Sequence, residues 1–441
     1  MRNRRILRLT RYGLALIGGL LLSGAADAQH PSAEPSVAEP QEGQTPAPPS
    51  PPPLALVRFA DLPGWSEDTH EDLLAPLLAT CDVLRGLRPD LPLGGDGLAA
   101  QRAGTPADWR EMCLELRLLQ QTLAREPRPG RNTDPEGRSW QRRLQAWRAA
   151  RHTTVRNFIE RRFDAYAAGT GIMTGYYEPV LRGALAPDDT YRTPLFARPP
   201  ELVETAGADP LRRRFGMLQE GRLQAFHDRA AIDRGALAGR GLELVWVDDP
   251  VDAFFLHIQG SGRVTLPDGE TIRIGYAGQN GRGYVAIGRI LIERGDMPRD
   301  RMSMQAIRAW LRDVGHERAV ELMGHNPSFV FFRRVENLAP NQGPIGALGV
   351  PLTPQRSVAV DRSAIPLGLP LFVAARDPIE RTPFGRAVVA QDTGGAIRGP
   401  ARTDYFWGWG DDAGERAGRM REEALVFMLL PRQPEMAGAA P

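Results

Sequence analysis

Three aspartates toward the C-terminus combine residue types and settings in which proton-transfer chemistry can be built. Asp361 ends an apolar run (Ser357 to Val360), and Asp392 ends another (Ala387 to Gln391) just before Gly394 and Gly395. Asp404 lies in Arg402-Thr403-Asp404-Tyr405-Phe406, ahead of Trp407-Gly408-Trp409-Gly410. A carboxyl at a strand end beside tight glycine turns is held on a rigid element where a cleft can form. Such aspartates also close Asx turns routinely, and singly each reads that way first. Clustered with glycines and aromatics, the three together point to chemistry. Cleavage of a glycosidic bond is one reaction that needs such a group: the leaving oxygen must be protonated as it departs. One carboxyl must therefore be kept neutral by burial or by a nearby like charge. Neighbouring aspartates supply the second effect and aromatic walls the first. Tyr176, Tyr177, Tyr276, Tyr284, Trp407 and Trp409 offer faces for sugar rings.

Other chemistries are poorly provided for. The 441 residues include no lysine, so all 55 basic residues are arginine. A Schiff-base lysine, a phosphate-cradling P-loop lysine and a Ser-Lys dyad are thereby excluded. There is no H-E-x-x-H, no paired C-x-x-C and no G-x-S-x-G; Ser261 sits in Gln-Gly-Ser-Gly, without the first glycine. His257 falls in an alternating strand and reads as a packed or surface histidine. His316 and His325 flank a short helix with no third ligand nearby, so no metal and no organic cofactor are expected. A formal net charge of +2 argues against a broad nucleic-acid surface. Cys81 and Cys113 each lie on an apolar helical face, and they read equally well as a disulfide or as two buried thiols.

The elements that must position the aspartates come next. Residues 1–28 read as a secretory signal peptide: Arg2, Arg4 and Arg5, an apolar Leu14 to Leu22, then Ala26-Asp27-Ala28. No cysteine follows for lipid attachment, and no later stretch reaches the ~18 apolar residues of a membrane span. The expectation is an exported, periplasmic protein, soluble or peripherally attached at the outer membrane. Residues 29–54 form a proline-rich tether unable to bury a core. From about 64 to 170 the periodicity is helical, with Trp140, Leu144, Trp147, Val155, Phe158, Ile159 and Phe163 on core-facing spacing. Beyond Gly171 the pattern turns β-like, in Leu242 to Val247, in Ala253 to Gln259, and in a hairpin around Pro267-Asp268-Gly269. Two helices follow, Tyr284 to Arg294 and one opening at Ser303. The C-terminal part is β-like again: Ser357 to Val360, Leu369 to Val373, Ala387 to Ala390 and Ala424 to Leu430. Without βαβ alternation a doubly wound sheet is excluded, and a pair of small barrels or barrel-like sheets with helical decoration fits.

Several stretches now converge. Gly171 to Val180 (GIMTGYYEPV), Asp252 to Gly262 (DAFFLHIQGSG), Gly275 to Gly288 (GYAGQNGRGYVAIG), Met302 to Trp310 and Asn326 to Phe332 precede the three-aspartate region. In this order the chain resembles the membrane-bound lytic murein transglycosylase A family, with its C-terminal three-aspartate 3D domain. The resemblance spans roughly residues 171–420. It implies a mainly β fold with a helical N-terminal part: a double-psi β-barrel domain (55–177 and 338–432) and a second β-domain (178–337) inserted into it. Glycan would lie in the groove between them. The implied activity is cleavage of the MurNAc–GlcNAc β-1,4 bond of peptidoglycan, leaving 1,6-anhydro-MurNAc ends. Asp404 matches the catalytic aspartate of that family, and Asp361 and Asp392 its two companions, expected to shape the groove and tune Asp404. Thr174, Gly175, Tyr176, Tyr177, Gln259, Ser261, Gly394 and Gly395 are expected to line the substrate cleft. The chain departs from the pattern at its N-terminus, and the segment 64–170 matches loosely. Two rival readings stay open. One is a hydrolase with a second aspartate as base; the other is a non-catalytic glycan-binding protein.

Overall fold

The computed structural model describes residues 54–130, 138–206 and 213–432. The signal peptide and almost all of the proline-rich tether lie outside the described residues. A short β1 (Ala55–Val57) precedes four helices: α1 (Leu74–Gly86), α2 (Gly97–Ala103), α3 (Pro106–Arg125) and α4 (Arg138–Arg162). Helix α3 starts where its sequence says it should. Thr105 and Asp108 form a capping box and Pro106 occupies the first turn, where its missing N–H costs nothing. Cys81 of α1 and Cys113 of α3 are joined in a disulfide, with Cα atoms 5.6 Å apart. Trp140 and Trp147 of α4 are half-buried rather than central to the core; Leu144, Val155, Phe158 and Ile159 are buried as expected.

The helical stretch ends earlier than its composition suggests. Phe163–Glu178 is one 16-residue strand, β2, although it opens with Ala- and Gly-rich sequence. Pairing on both sides overrides the weak local preference of FDAYAAGTG: Phe163 to Thr174 pair with the C-terminal strand, Ala165 to Ala167 pair on the other side with β1, and from Met173 onward a parallel neighbour takes over.

After Glu178 the chain leaves the barrel. It forms β3 (Val180–Ala184), β4 (Thr193–Phe196), β5 (Leu202–Ala206), β6 (Arg213–Gln219), β7 (Arg222–Gln224), the single turn α5 (Arg229–Ala231) and β8 (Glu243–Val247). Then come α6 (Pro250–Gln259), β9 (Ser261–Thr265), β10 (Thr271–Gln279), α7 (Ile287–Arg294), α8 (Met304–Asp313), α9 (His316–Gly324) and β11 (Val330–Arg334). Six of these strands form a sheet in the order β11-β10-β9-β3-β8-β4, and a bridge from Ala197 to Phe332 links its two edges. The expected hairpin is β9–β10, and Ser303 caps α8 through Ala306 N–H.

One expectation is overturned. Ala253 to Gln259 is part of helix α6, not a strand. The signals were present: Asp249 accepts from Val251 N–H, Pro250 sits in the first turn, and Gly260 (φ +79°) supplies the left-handed residue after the helix. Five consecutive side chains, Ala253 to His257, are buried, and the exposed position beyond them is Ile258, so no polar stripe marks its period. His257 is thus a buried helical residue. Its Nδ1 lies 2.9 Å from Arg229 Nη1, and burial, then that arginine, pushes its pKa well below the usual range.

The last elements complete the barrel: β12 (Ser357–Val360), β13 (Pro370–Arg376), β14 (Pro383–Thr393), β15 (Thr403–Trp409), α10 (Gly410–Arg419) and β16 (Arg421–Pro431). Strands β2, β15, β12, β14, β13 and β16 follow one another, and β16 pairs back to β2, closing six strands into a ring. Two pairings, β12–β14 and β15–β2, are parallel; the other four are antiparallel. The filling is aliphatic and aromatic: Val358, Val360, Leu371, Val373, Val388 and Met428 are almost wholly buried. The architecture expected above, a barrel with a second β-domain inserted, is what the chain forms.

Candidate active site

Asp404 sits inside β15, between two strands that fix it. On one side the parallel register with β2 sets Asp404 beside Thr174; on the other, Ala359 of β12 stands opposite. Thr174 Oγ1 donates to Asp404 Oδ1 at 2.5 Å and itself accepts from Arg402 Nη2 at 2.8 Å. Asp404 keeps part of its surface open but is crowded by protein on most sides. That burial lifts its carboxyl to a pKa of about 6. The Thr174 hydrogen bond and the Arg402 cation pull it down, and Asp392 pushes it further up.

Asp392, in β14, is the neighbour that acts on it. Its Oδ2 accepts from Tyr176 OH and its Oδ1 from Ala347 N–H, both at 3.0 Å. Burial raises its pKa as well, against those hydrogen bonds. The Tyr176 ring leans on Phe406, with centroids 5.2 Å apart, so β2 and β15 share the wall around both carboxyls.

Asp361 does something else. Burial works upward on it, but hydrogen bonds outweigh that and hold its carboxyl below the usual range. Ser363 Oγ (2.6 Å), Ser363 N–H (3.1 Å) and Gly399 N–H (2.8 Å) all donate to it. It closes the turn after β12 and pins the loop that leads into β15. It makes no hydrogen bond to Asp404 or Asp392.

The remaining candidates divide. Tyr177 N–H donates to Gln259 Oε1 at 3.1 Å, joining the end of α6 to β2, and Tyr177 OH accepts from Arg308 Nη1 at 3.2 Å. Ser261 is buried at the start of β9, opposite Gly275. Gly175 is required by packing: a Cβ there would come within 2.8 Å of Ala417 and of the Trp407 ring. Gly394 opens a turn closed by Ile397 N–H, while Gly395 stays exposed. Trp407 is not a sugar platform. It is buried, 5.0 Å from the Tyr405 ring, on the face of β15 opposite Asp404. Tyr276 and Tyr284 remain exposed.

Two features escape a reading of types and spacing. One is Arg402, just ahead of β15, although an offset of two residues along extended chain puts it on the side of Asp404. The other is Glu178, the last residue of β2 and buried. Arg263 donates to its Oε2 at 2.9 Å and Arg273 to its Oε1 at 2.8 Å. Arg263 also donates to the Pro340 and Gln342 carbonyls and stacks 4.1 Å over Trp409. This knot ties the strand that leaves the barrel to the inserted sheet and to the segment that returns.

The chain is similar to known proteins. The family described as the MltA specific insert domain matches residues 172–333, and the 3D domain matches residues 356–430. Membrane-bound lytic murein transglycosylase A of Vibrio cholerae is 34% identical over 278 residues, which cover 61% of this chain and 68% of that protein. The chain belongs to the membrane-bound lytic murein transglycosylase A family. A crystal structure of the membrane-bound lytic murein transglycosylase from Agrobacterium tumefaciens superposes with a TM-score of 0.68 at 36% identity, covering 86% of this chain and 98% of that one. Escherichia coli MltA, solved with bound chitohexaose, matches with a TM-score of 0.54 at 30% identity over 74% of this chain and 90% of its own. Among the described residues of this family member no helix is long and apolar enough to cross a membrane.

Proposed function

We propose that this chain is a peptidoglycan lytic transglycosylase in which one carboxyl, Asp404, serves both halves of the reaction. The observation that carries the reading is its environment: a crowded carboxyl, pKa about 6, beside a second carboxyl that disfavours its ionisation. Protonated Asp404 gives its proton to the glycosidic oxygen between MurNAc and GlcNAc as the bond from C1 to that oxygen breaks. The resulting carboxylate takes the proton of the MurNAc C6 hydroxyl while O6 bonds to C1 of the same sugar. The nucleophile is tethered within the substrate, so no second carboxylate is needed to activate water. Asp392 spends both oxygens on Tyr176 and Ala347 and Asp361 spends its two on Ser363 and Gly399, which weighs against either as a water-activating base.

The glycan strand occupies the groove between the barrel (55–177 and 338–432) and the inserted domain (178–337). Thr174, Tyr176, Gln259 and Gly395 are the candidates nearest this cleft; Gly175, Tyr177, Ser261 and Gly394 act by shaping the backbone beneath it. Export by the signal peptide of residues 1–28 delivers the enzyme to the periplasm, where its substrate lies, and residues 29–54 tether it.

The deciding experiment is a digest of purified peptidoglycan by the wild type and by Asp404→Asn, read by mass spectrometry. Products ~18 Da lighter than hydrolytic ones, lost with the variant, are expected, because ring closure by O6 takes the place of water. Turnover by the variant should fall about 10²–10⁴-fold, the usual contribution of general acid–base catalysis. Products that carry the water would make this a hydrolase, and an inert wild type would leave a glycan-binding protein.

A further inference from the structure

The contacts of Asp404 contain a direction. A guanidinium only donates hydrogen bonds, so Thr174 Oγ1, 2.8 Å from Arg402 Nη2, is the acceptor there. Arg402 is itself held in place: its Nη1 donates to the Ile172 carbonyl at 3.1 Å and to the Thr403 carbonyl. The threonine hydroxyl has one proton, and Asp404 Oδ1 lies 2.5 Å away to receive it. Were Asp404 to donate from Oδ1 instead, Thr174 would accept twice and its own proton would have no acceptor among its contacts in the described residues. Such an arrangement leaves a polar hydrogen unpaired in a crowded site, the costly case. The other oxygen, Oδ2, takes no hydrogen bond from a described side chain.

We propose that Arg402 is a positioning residue: acting through Thr174, it keeps Asp404 Oδ1 as an acceptor and reserves Oδ2 for the proton that moves. The inference rests on Asp404 being the acid and base proposed above, and it adds which oxygen does the work and what enforces it. In the first step the Oδ2–H bond breaks as the glycosidic oxygen is protonated. In the second, Oδ2 takes up the C6 hydroxyl proton as O6 closes on C1. Through both, Oδ1 keeps its bond from Thr174, so the carboxyl does not have to turn over between steps. The relay also favours the carboxylate formed midway, because hydrogen bonds linked to a cation polarise one another.

The groups that set the ionisation of Asp404 come from each strand around it. They are Thr174 on β2, Arg402 just ahead of β15, and Asp392 on β14, with Arg421 of β16 acting on Arg402; Tyr176 of β2 is itself raised by both aspartates. Asp361, beyond β12, has its carboxylate turned to Ser363 and Gly399. Of these, Arg402 is the cation next to the acid.

The test is kcat and KM against pH on soluble, uncross-linked glycan strands for five proteins: wild type, Arg402→Met, Arg402→Lys, Thr174→Val and the double variant Thr174→Val/Arg402→Met. Arg402→Met should lower kcat by roughly 10- to 100-fold, in the range expected when a reacting group loses its alignment, while KM changes little. The limb on which activity falls with rising pH should move to higher pH, because a cation that favoured the carboxylate is gone. Arg402→Lys, still a donor and a cation, should recover much of kcat and bring the limb back. Once Thr174→Val has cut the relay, adding Arg402→Met should cost little more in kcat. A limb that stays put in Arg402→Met, or losses that simply multiply in the double variant, would reduce Arg402 to a structural arginine. If Arg402→Met does not fold, as judged by circular dichroism and melting, Arg402→Gln, which also removes the cation, completes the same cycle alone and combined with Thr174→Val. Failure of the underlying reading looks different: there Asp404→Asn retains activity, or the wild type releases no anhydro product.

Discussion

Asp404 and Asp392 illustrate how a few neighbours give identical side chains different duties. Burial lifts both carboxyls, but two strong donors engage the oxygens of Asp392 while Asp404 keeps one oxygen uncommitted. A general acid must begin protonated, so kcat/KM should decline as pH rises through about 6, the pKa of Asp404. Asp392→Asn removes the negative charge that raises that pKa. The falling limb should then shift to lower pH, with activity near pH 5 retained better than activity near pH 7. A pH–rate profile checks this, and a limb that moved upward would show that Asp392 does not act on Asp404 by its charge. The three aspartates were legible in the sequence as a group because each borders an apolar run with glycines and aromatics nearby. Their separate roles were not. Asp361 closes a local turn through Ser363, the reading each aspartate has singly, but its second oxygen is taken by Gly399, 38 residues further on, a contact no local pattern announces.

At the scale of elements, legibility followed the strength of local signals. β12 was readable to the residue, and α8 announced itself with Ser303. α6 did not, since a run of buried residues from Ala253 to His257 masked its periodicity, and the first half of β2 is held as a strand by β16 on one side and β1 on the other. Its last residue, Glu178, holds the elements of the two domains together. Glu178→Gln keeps the shape but removes the charge, leaving Arg263 and Arg273 buried with no carboxylate between them. Breaking one side of a buried ion pair costs about 3–5 kcal/mol, so denaturant unfolding should show a midpoint well below that of the wild type. A loss under about 1 kcal/mol would mean that water satisfies Arg273 and that water or the Pro340 and Gln342 carbonyls satisfy Arg263. Gly175, called as a cleft residue, shows a related lesson: its value lies in letting Trp407 and α10 approach β2, a demand visible only once those elements are packed.

For the molecule as a whole, the helical part and the barrel are stabilised by links far apart in sequence. The Cys81–Cys113 bridge closes a loop with a sequence separation of 32 residues. Constraining such a loop in the unfolded chain is worth roughly 3–4 kcal/mol. Replacing both cysteines with serine should therefore lower the melting temperature under oxidising conditions, and a reductant should abolish most of the difference; equal melting in both would show that the bridge constrains little. Each cysteine's apolar helical face was readable, but the crossing of α1 over α3 that brings them together was not. The ring of the barrel has a consequence of its own. Its seam joins β2 to β16, so the Thr174 strand is completed only by a segment from the far side of the inserted domain. Without β16 the ring is open, with two bare edges and no firm support behind the residue that orients the acid. The geometry of the acid is thus a property of the closed ring rather than of any one stretch of sequence.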